Sequence, residues 1–158
     1  MDFKSRLQNH TGATLRRPIV WAGVVCCICV ILLVACSTSK GLDGSSWSLT
    51  TYRDSQGNMA DRLADSTVTI DFQADQVSGL SGCNNYTGPY QASGSKLEFG
   101  QLASTQKMCI RPEGVMQAEA AYLADLAVAA EYTLNGDTLE IKNTQGEQLL
   151  VFERATSQ

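Results

Sequence analysis

From Trp47 onward, apolar and polar residues alternate with a period of two, as in strands that bury one face. Trp47 and Leu49 alternate with Ser48 and Thr50, and Val68, Ile70 and Phe72 with Thr69 and Asp71. Leu97 and Phe99 alternate with Lys96 and Glu98, Tyr132 and Leu134 with Glu131 and Thr133, and Leu139 and Ile141 with Glu140 and Lys142. Such runs suit antiparallel strands with one face on a core. Turn residues sit between them at Ser93-Gly94, Asn135-Gly136 and Gln145-Gly146. Asn135 and Gly136 are expected at the two central positions of a tight hairpin, where positive φ is wanted. Leu149-Leu150-Val151-Phe152 does not alternate and is expected to be covered on both faces, while residues 53–66 read as a long polar loop.

One segment has a different period. Between Glu113 and Ala130, Met116, Ala120, Leu123 and Ala127 recur at helical spacing, with Tyr122 and Leu126 alongside. Pro112 suits the first turn of such a helix and Glu113 its positive end. The pattern predicts a mainly β (α+β) fold, an antiparallel sheet closing on itself with one helix near 113–130 plugging its open side. The densest chemistry lies in Gly79-Leu80-Ser81-Gly82-Cys83-Asn84-Asn85-Tyr86-Thr87-Gly88-Pro89-Tyr90. Its glycines allow close approaches that a Cβ forbids, and its asparagines can bond nearby main chain. Tyr86, Gly88 and Tyr90 share a face if the run is extended.

The N-terminal part is of another kind. Lys4, Arg6, Arg16 and Arg17 form a basic head, and no charged residue follows from Pro18 to Ala35. A basic segment, an apolar run and a small residue make an export signal, although the run exceeds the typical ~7–15 residues. Leu33-Val34-Ala35-Cys36 resembles the bacterial lipobox. That resemblance implies removal of residues 1–35, acylation of Cys36, a flexible tether over 36–46 and a domain over 47–153. The alternative is a retained single-pass anchor at 18–35. Ser37, in place of an aspartate, implies outer-membrane sorting in a two-membrane cell, with the domain facing the periplasm.

Processing alters the cysteine and charge balance. Cys26, Cys27 and Cys29 leave with the signal and Cys36 is acylated, so Cys83 and Cys109 remain. An even pair in an exported domain reads as one disulfide, the alternative being two buried thiols. The whole chain has a formal charge of −4, and the part from Cys36 onward carries eight basic and fifteen acidic residues. An acidic domain lacks the basic footprint that nucleic-acid or anionic-lipid surface binding requires, so no nucleic acid is expected as a partner and the lipid on Cys36 is expected to do the anchoring.

The domain resembles the META domain family, the fold of HslJ-type envelope proteins, over about Gly44 to Glu153. The resemblance rests on Trp47-Ser48-Leu49, Ile70-Asp71-Phe72, the run Val77 to Gly88, Leu102-Ala103-Ser104-Thr105, Met108-Cys109, Glu119 to Leu126, Leu139 and Phe152. Its motif residues here are Gly82, Cys83, Asn84, Tyr86, Thr105, Met108 and Cys109. It implies a cracked, lipocalin-like antiparallel barrel of about seven or eight strands with one helix. It also implies a link to heat or antibiotic stress of the envelope, and supplies no catalytic residues.

The only histidine, His10, falls in the segment expected to be removed. Without it the domain cannot build a Ser-His or Cys-His pair or a histidine zinc site. No cofactor and no metal are expected. Asp71, Asp75 and Glu98 are the carboxylates that could pair, though acids on strand faces are usually solvated. Tyr86, Tyr90, Tyr122 and Tyr132 are candidates for an aromatic wall. The expectation is a non-enzymatic envelope lipoprotein, held to the membrane through Cys36, that binds an envelope protein or buffers stress. The alternative is a carrier of a lipid or small apolar ligand in the barrel mouth.

Overall fold

The computed structural model describes residues 41–155. The signal or anchor expected within 1–35 and the acylation expected at Cys36 lie outside the described residues. The described chain forms ten strands and one helix. Strands β1 (Ser45–Arg53), β2 (Met59–Asp61), β3 (Thr69–Gln73), β4 (Gln76–Leu80), β5 (Asn85–Ser93), β6 (Lys96–Phe99) and β7 (Ala103–Ser104) precede helix α1 (Val115–Ala127). Strands β8 (Glu131–Asn135), β9 (Thr138–Lys142) and β10 (Gln148–Arg154) come after it.

Eight strands run in the order β1-β3-β4-β5-β6-β8-β9-β10, and β10 pairs back onto β1 to close an antiparallel barrel. The short β2 and β7 are added to β1 and β5. The first and last strands meet along most of their length, from Trp47↔Arg154 to Tyr52↔Leu150. The thinnest seam lies between β6 and β8, which share the register pair Lys96↔Glu131. Two flanking backbone bonds, Leu97 N to Ala130 O and Tyr132 N to Ser95 O, reinforce it.

The barrel interior is filled by Trp47, Ile70, Phe72, Leu97, Leu139, Ile141 and Phe152, all fully buried, with Tyr122 and Leu126 entering from α1. A register shift between Gln148 and Leu150 turns the consecutive Leu149 and Leu150 inward together, the effect of a bulge. This accounts for the run without alternation. Tyr86, Gly88 and Tyr90 share the buried face of β5.

Several boundaries differ from the sequence pattern. The tether predicted over 36–46 gives way, in its described part, to ordered domain. Leu42 is buried, Gly44 N donates to Phe72 O, and β1 begins at Ser45. The polar loop predicted over 53–66 contains β2, and Arg62 fastens the residues after that strand by donating to the carbonyls of Leu49, Leu63 and Ser66. Polarity hid this order because backbone groups, which hydropathy does not register, make the contacts. The β8–β9 turn is one residue later than predicted: Asn135 pairs with Thr138, leaving Gly136 and Asp137 at the centre. Of these two, only Gly136 has positive φ.

The helix shows the largest difference. It starts at Val115 behind Gly114, so Pro112 and Glu113 lie before it. Its buried stripe is Val115, Glu119, Tyr122, Leu126 and Ala129, with Asp125 beside it, whereas Ala120 and Ala127 are exposed. The predicted stripe is rotated because two acids face the barrel, and counting apolar residues assigns acids to solvent.

Gly79 on β4 stands opposite Tyr86 on β5. With no side chain at Gly79, the Tyr86 hydroxyl reaches past it to donate to Thr69 O on β3 at 2.9 Å. A Cβ at Gly79 would stand 2.1 Å from that carbonyl oxygen and 2.9 Å from the hydroxyl. Gly79→Ala is therefore expected to destabilise the barrel by about 3 kcal/mol, at the upper end for overpacking, as read by the urea midpoint. An unchanged midpoint would disprove this packing.

Candidate functional site

The site begins with a helix carboxylate placed under a turn. Between β4 and β5 the chain turns through Ser81 to Asn84, where the backbone must leave the sheet. Glu119, on the second turn of α1, is 6% exposed and points into it. Its Oε2 accepts from Asn84 N at 2.8 Å, Cys83 N at 3.2 Å and Ser81 Oγ at 2.7 Å. Its Oε1 accepts from Asn84 Nδ2 at 2.7 Å. Burial alone raises this carboxyl's pKa. The hydrogen bonds from Asn84, Ser81 and the Cys83 amide together outweigh it, so the pKa lies below the ordinary 4.5.

Asn84 carries the network onward. Its Oδ1 accepts from Thr105 Oγ1 at 2.8 Å and Lys107 N at 2.7 Å. Its Nδ2 also donates to Lys107 O at 3.2 Å. The amide thus serves both backbone groups of Lys107, as a neighbouring strand would. The same segment is joined covalently, because Cys83 and Cys109 form a disulfide with Cα atoms 5.9 Å apart. Gly82 has φ 108°, and a Cβ there would meet Val115 Cγ2 at 3.2 Å.

Two further buried polar contacts hold α1. The Tyr122 and Tyr86 hydroxyls lie 2.6 Å apart, and burial pushes both phenols above their ordinary pKa. At the other end, Asp125 accepts from Arg53 N at 3.2 Å and pairs with the Arg53 guanidinium at 3.3 Å. Arg53 Nη1 also reaches Glu147 at 3.2 Å. Burial pushes Asp125 up to about 6 despite the arginine.

Of the motif residues picked out in the sequence, Gly82, Cys83, Asn84, Thr105 and Cys109 lie together in or beside the turn network. Tyr86 bonds Tyr122 rather than joining that network, and Met108 points into solvent at 82% exposure. The four tyrosines form no single wall: Tyr86 meets Tyr122, while Tyr90 packs edge-on against Phe72. Asp71, Asp75 and Glu98 lie on β3, the β3–β4 turn and β6, and among the described residues none is bonded to another. Sequence reasoning missed Ser81, Glu119 and Asp125 as partners. The available signal was the spacing Val115-Glu119-Tyr122-Leu126, which makes one stripe only if an acid is allowed within it.

The arrangement fixes the turn between β4 and β5 on the helix. Both carboxylate oxygens of Glu119 accept from protein donors, and the Asn84 amide is fully engaged. Among the described residues no group of three His, Cys, Asp or Glu could hold a metal ion. The space between α1 and the sheet, lined by Leu49, Val68, Gly82, Val115 and Tyr122, measures about 10 Å³. That is the lower limit for a single water. Larger grooves lie on the outside: one of about 680 Å³ over Gly79 and Ser104, and one of about 360 Å³ beside Met108, Met116 and Leu123.

Glu119→Ala is expected to lower stability by roughly 3 kcal/mol or more, since several buried donors lose their acceptor at about 1–3 kcal/mol each. Glu119→Gln should not restore it, because one acceptor oxygen becomes a donor facing Asn84; equal midpoints for Gln and Glu would refute the geometry. A folded pKa below the unfolded value makes the Glu119 contribution present at neutral pH and lost as pH falls through the folded value. Asp125 has the opposite sign: its contribution is full below about 3.8 and lost as pH rises through about 6. Asp125→Asn should therefore flatten the decline in stability between those pH values, measured by urea unfolding across the range. Replacing both Cys83 and Cys109 by serine should cost about 3.5 kcal/mol for a separation of 26 residues.

The comparisons with known proteins agree with the fold. An NMR structure of a protein from Burkholderia xenovorans aligns with a TM-score of 0.60 at 23% identity, over 96% of this chain and 100% of that one. A crystal structure of a DUF4847 family protein from Bacteroides vulgatus aligns at 0.52 and 13% identity, over 74% of this chain and 96% of that one. At such identities the likeness concerns the fold. No curated protein matches the sequence. The model of the META domain matches residues 40–156, a span that includes Leu42 and the β1–β10 closure, and the chain belongs to the META domain family.

Proposed function

We propose that this chain is an exported cell-envelope protein held on the membrane by acyl groups on Cys36. Its META barrel acts there as a non-enzymatic binding module in envelope stress such as heat or antibiotic challenge. The observation that carries the reading is the Cys83–Cys109 disulfide. Such bonds form and persist in oxidising compartments such as the periplasm and are rare in the cytosol. It agrees with the basic head, apolar run and Leu33-Val34-Ala35-Cys36 that precede the domain. The filled interior favours binding on the outer surface over carriage of a lipid or apolar ligand in the barrel mouth. Among the described residues no helix is long and apolar enough to cross a membrane.

The test is the intact mass of the protein extracted from membranes. The expected species lacks residues 1–35, carries acyl groups and has two protons fewer than the dithiol. A full-length mass, or a Cys36→Ala chain that stays with membranes at full length, would replace acylation by a spanning segment at 18–35.

A further inference from the structure

The segment after β7 carries a feature that neither the turn network nor the core uses. Lys107-Met108-Cys109-Ile110-Arg111 places two apolar residues between two cations. Met108 is 82% exposed and Ile110 85%, the two most exposed large apolar residues described. Lys107 and Arg111 are also exposed, and neither makes an ion pair among the described residues. No acidic residue occurs from Phe99 to Pro112, in a domain that is otherwise acidic. The apolar surface continues from Met108 into the groove of about 360 Å³ beside the half-buried Met116 and Leu123.

The segment is held in this posture. Both backbone groups of Lys107 are bonded to Asn84, and Cys109 is tied to Cys83. A segment already ordered loses little conformational entropy when it meets a partner. Exposed apolar side chains flanked by cations match a bilayer interface, where hydrocarbon takes the apolar tips and anionic headgroups the charges. We propose that residues 107–111 form a membrane-docking tip that inserts Met108 and Ile110 into the interface of a bilayer containing anionic phospholipid. This contact would orient the barrel on the membrane, and it goes beyond anchoring through Cys36.

The test uses the full chain with a tryptophan reporter on vesicles of brominated phosphatidylglycerol and phosphatidylethanolamine. Met108→Trp is compared with Met59→Trp, a partly exposed site on β2, each read as the difference from the unaltered chain. Bromine is expected to quench the reporter at 108 at least about twofold more than at 59, since only the inserted site reaches the hydrocarbon. The excess should vanish in Lys107→Glu/Arg111→Glu and in vesicles of neutral brominated phosphatidylcholine. Equal quenching at both sites overturns the proposal, as does an excess that survives charge reversal. A reporter at 108 that bromine does not quench in the vesicles, yet is shielded from iodide in native membranes, would make the tip a protein contact and also overturns it.

A Cys36→Ala chain separates this from the anchor. Its residual partitioning onto phosphatidylglycerol vesicles should fall about tenfold or more in Met108→Asp/Ile110→Asp and persist in Met108→Leu/Ile110→Leu. Because all these side chains are exposed, the substitutions leave the core intact. A chain held by its acyl groups with 108 unquenched would retain the anchor and refute the tip, whereas quenching without acylation would do the reverse.

Discussion

One buried carboxylate sets the relation between helix and barrel. Glu119 would be expensive to bury alone, and four protein groups at the 81–84 turn bond to it instead. Two of those groups are backbone amides of a turn that has left the sheet, and the carboxylate serves them where no neighbouring strand can. The need is mutual: turn amides without an acceptor and a carboxylate without donors are each unfavourable in a dry interior. Apolar packing alone would let α1 rotate on the barrel. The Glu119 bonds, with the Tyr122 and Asp125 contacts on either side, leave one seating.

The same turn organises the segment after β6. Residues 100–111 contain only the two-residue β7, so sheet pairing secures little of this stretch. Asn84 and Cys83 secure the rest, one through the main chain of Lys107 and the other through a covalent bond. Adjacent residues therefore fasten one strap by two kinds of chemistry. Glu119 orients the Asn84 amide from beneath, so helix, turn and strap form one connected polar unit over an apolar barrel.

Much of the barrel was legible in the sequence because β1, β3, β6, β8 and β9 each have one dry face, and a period of two records that directly. Closure was also expected, since a sheet closing on itself with the helix in its open side buries both apolar sets, whereas the bulge that breaks alternation in β10 was not legible. The helix existed in the pattern, but its buried face did not, because Glu119 and Asp125 are acids that satisfy themselves inside. Nothing in local composition tells a buried, fully bonded carboxylate from a solvated one. The gathering of Cys83, Asn84, Thr105 and Cys109 was suggested by their place in a family motif, yet their common partner on α1 was invisible. The ordered 41–46 stretch was hidden for a related reason: its serines and glycines resemble a linker, while Leu42 alone carries it into the core.

The pairing of β1 with β10 has a consequence for when this molecule can acquire its structure. Trp47 meets Arg154 and Leu49 meets Phe152, so one edge of β1, the one away from β3, stays open until β10 is in place. Contacts so far apart in sequence assemble slowly. Until they form, β1 and β10 are two open edges, so the incompletely closed ring is the state most exposed to pairing with other chains.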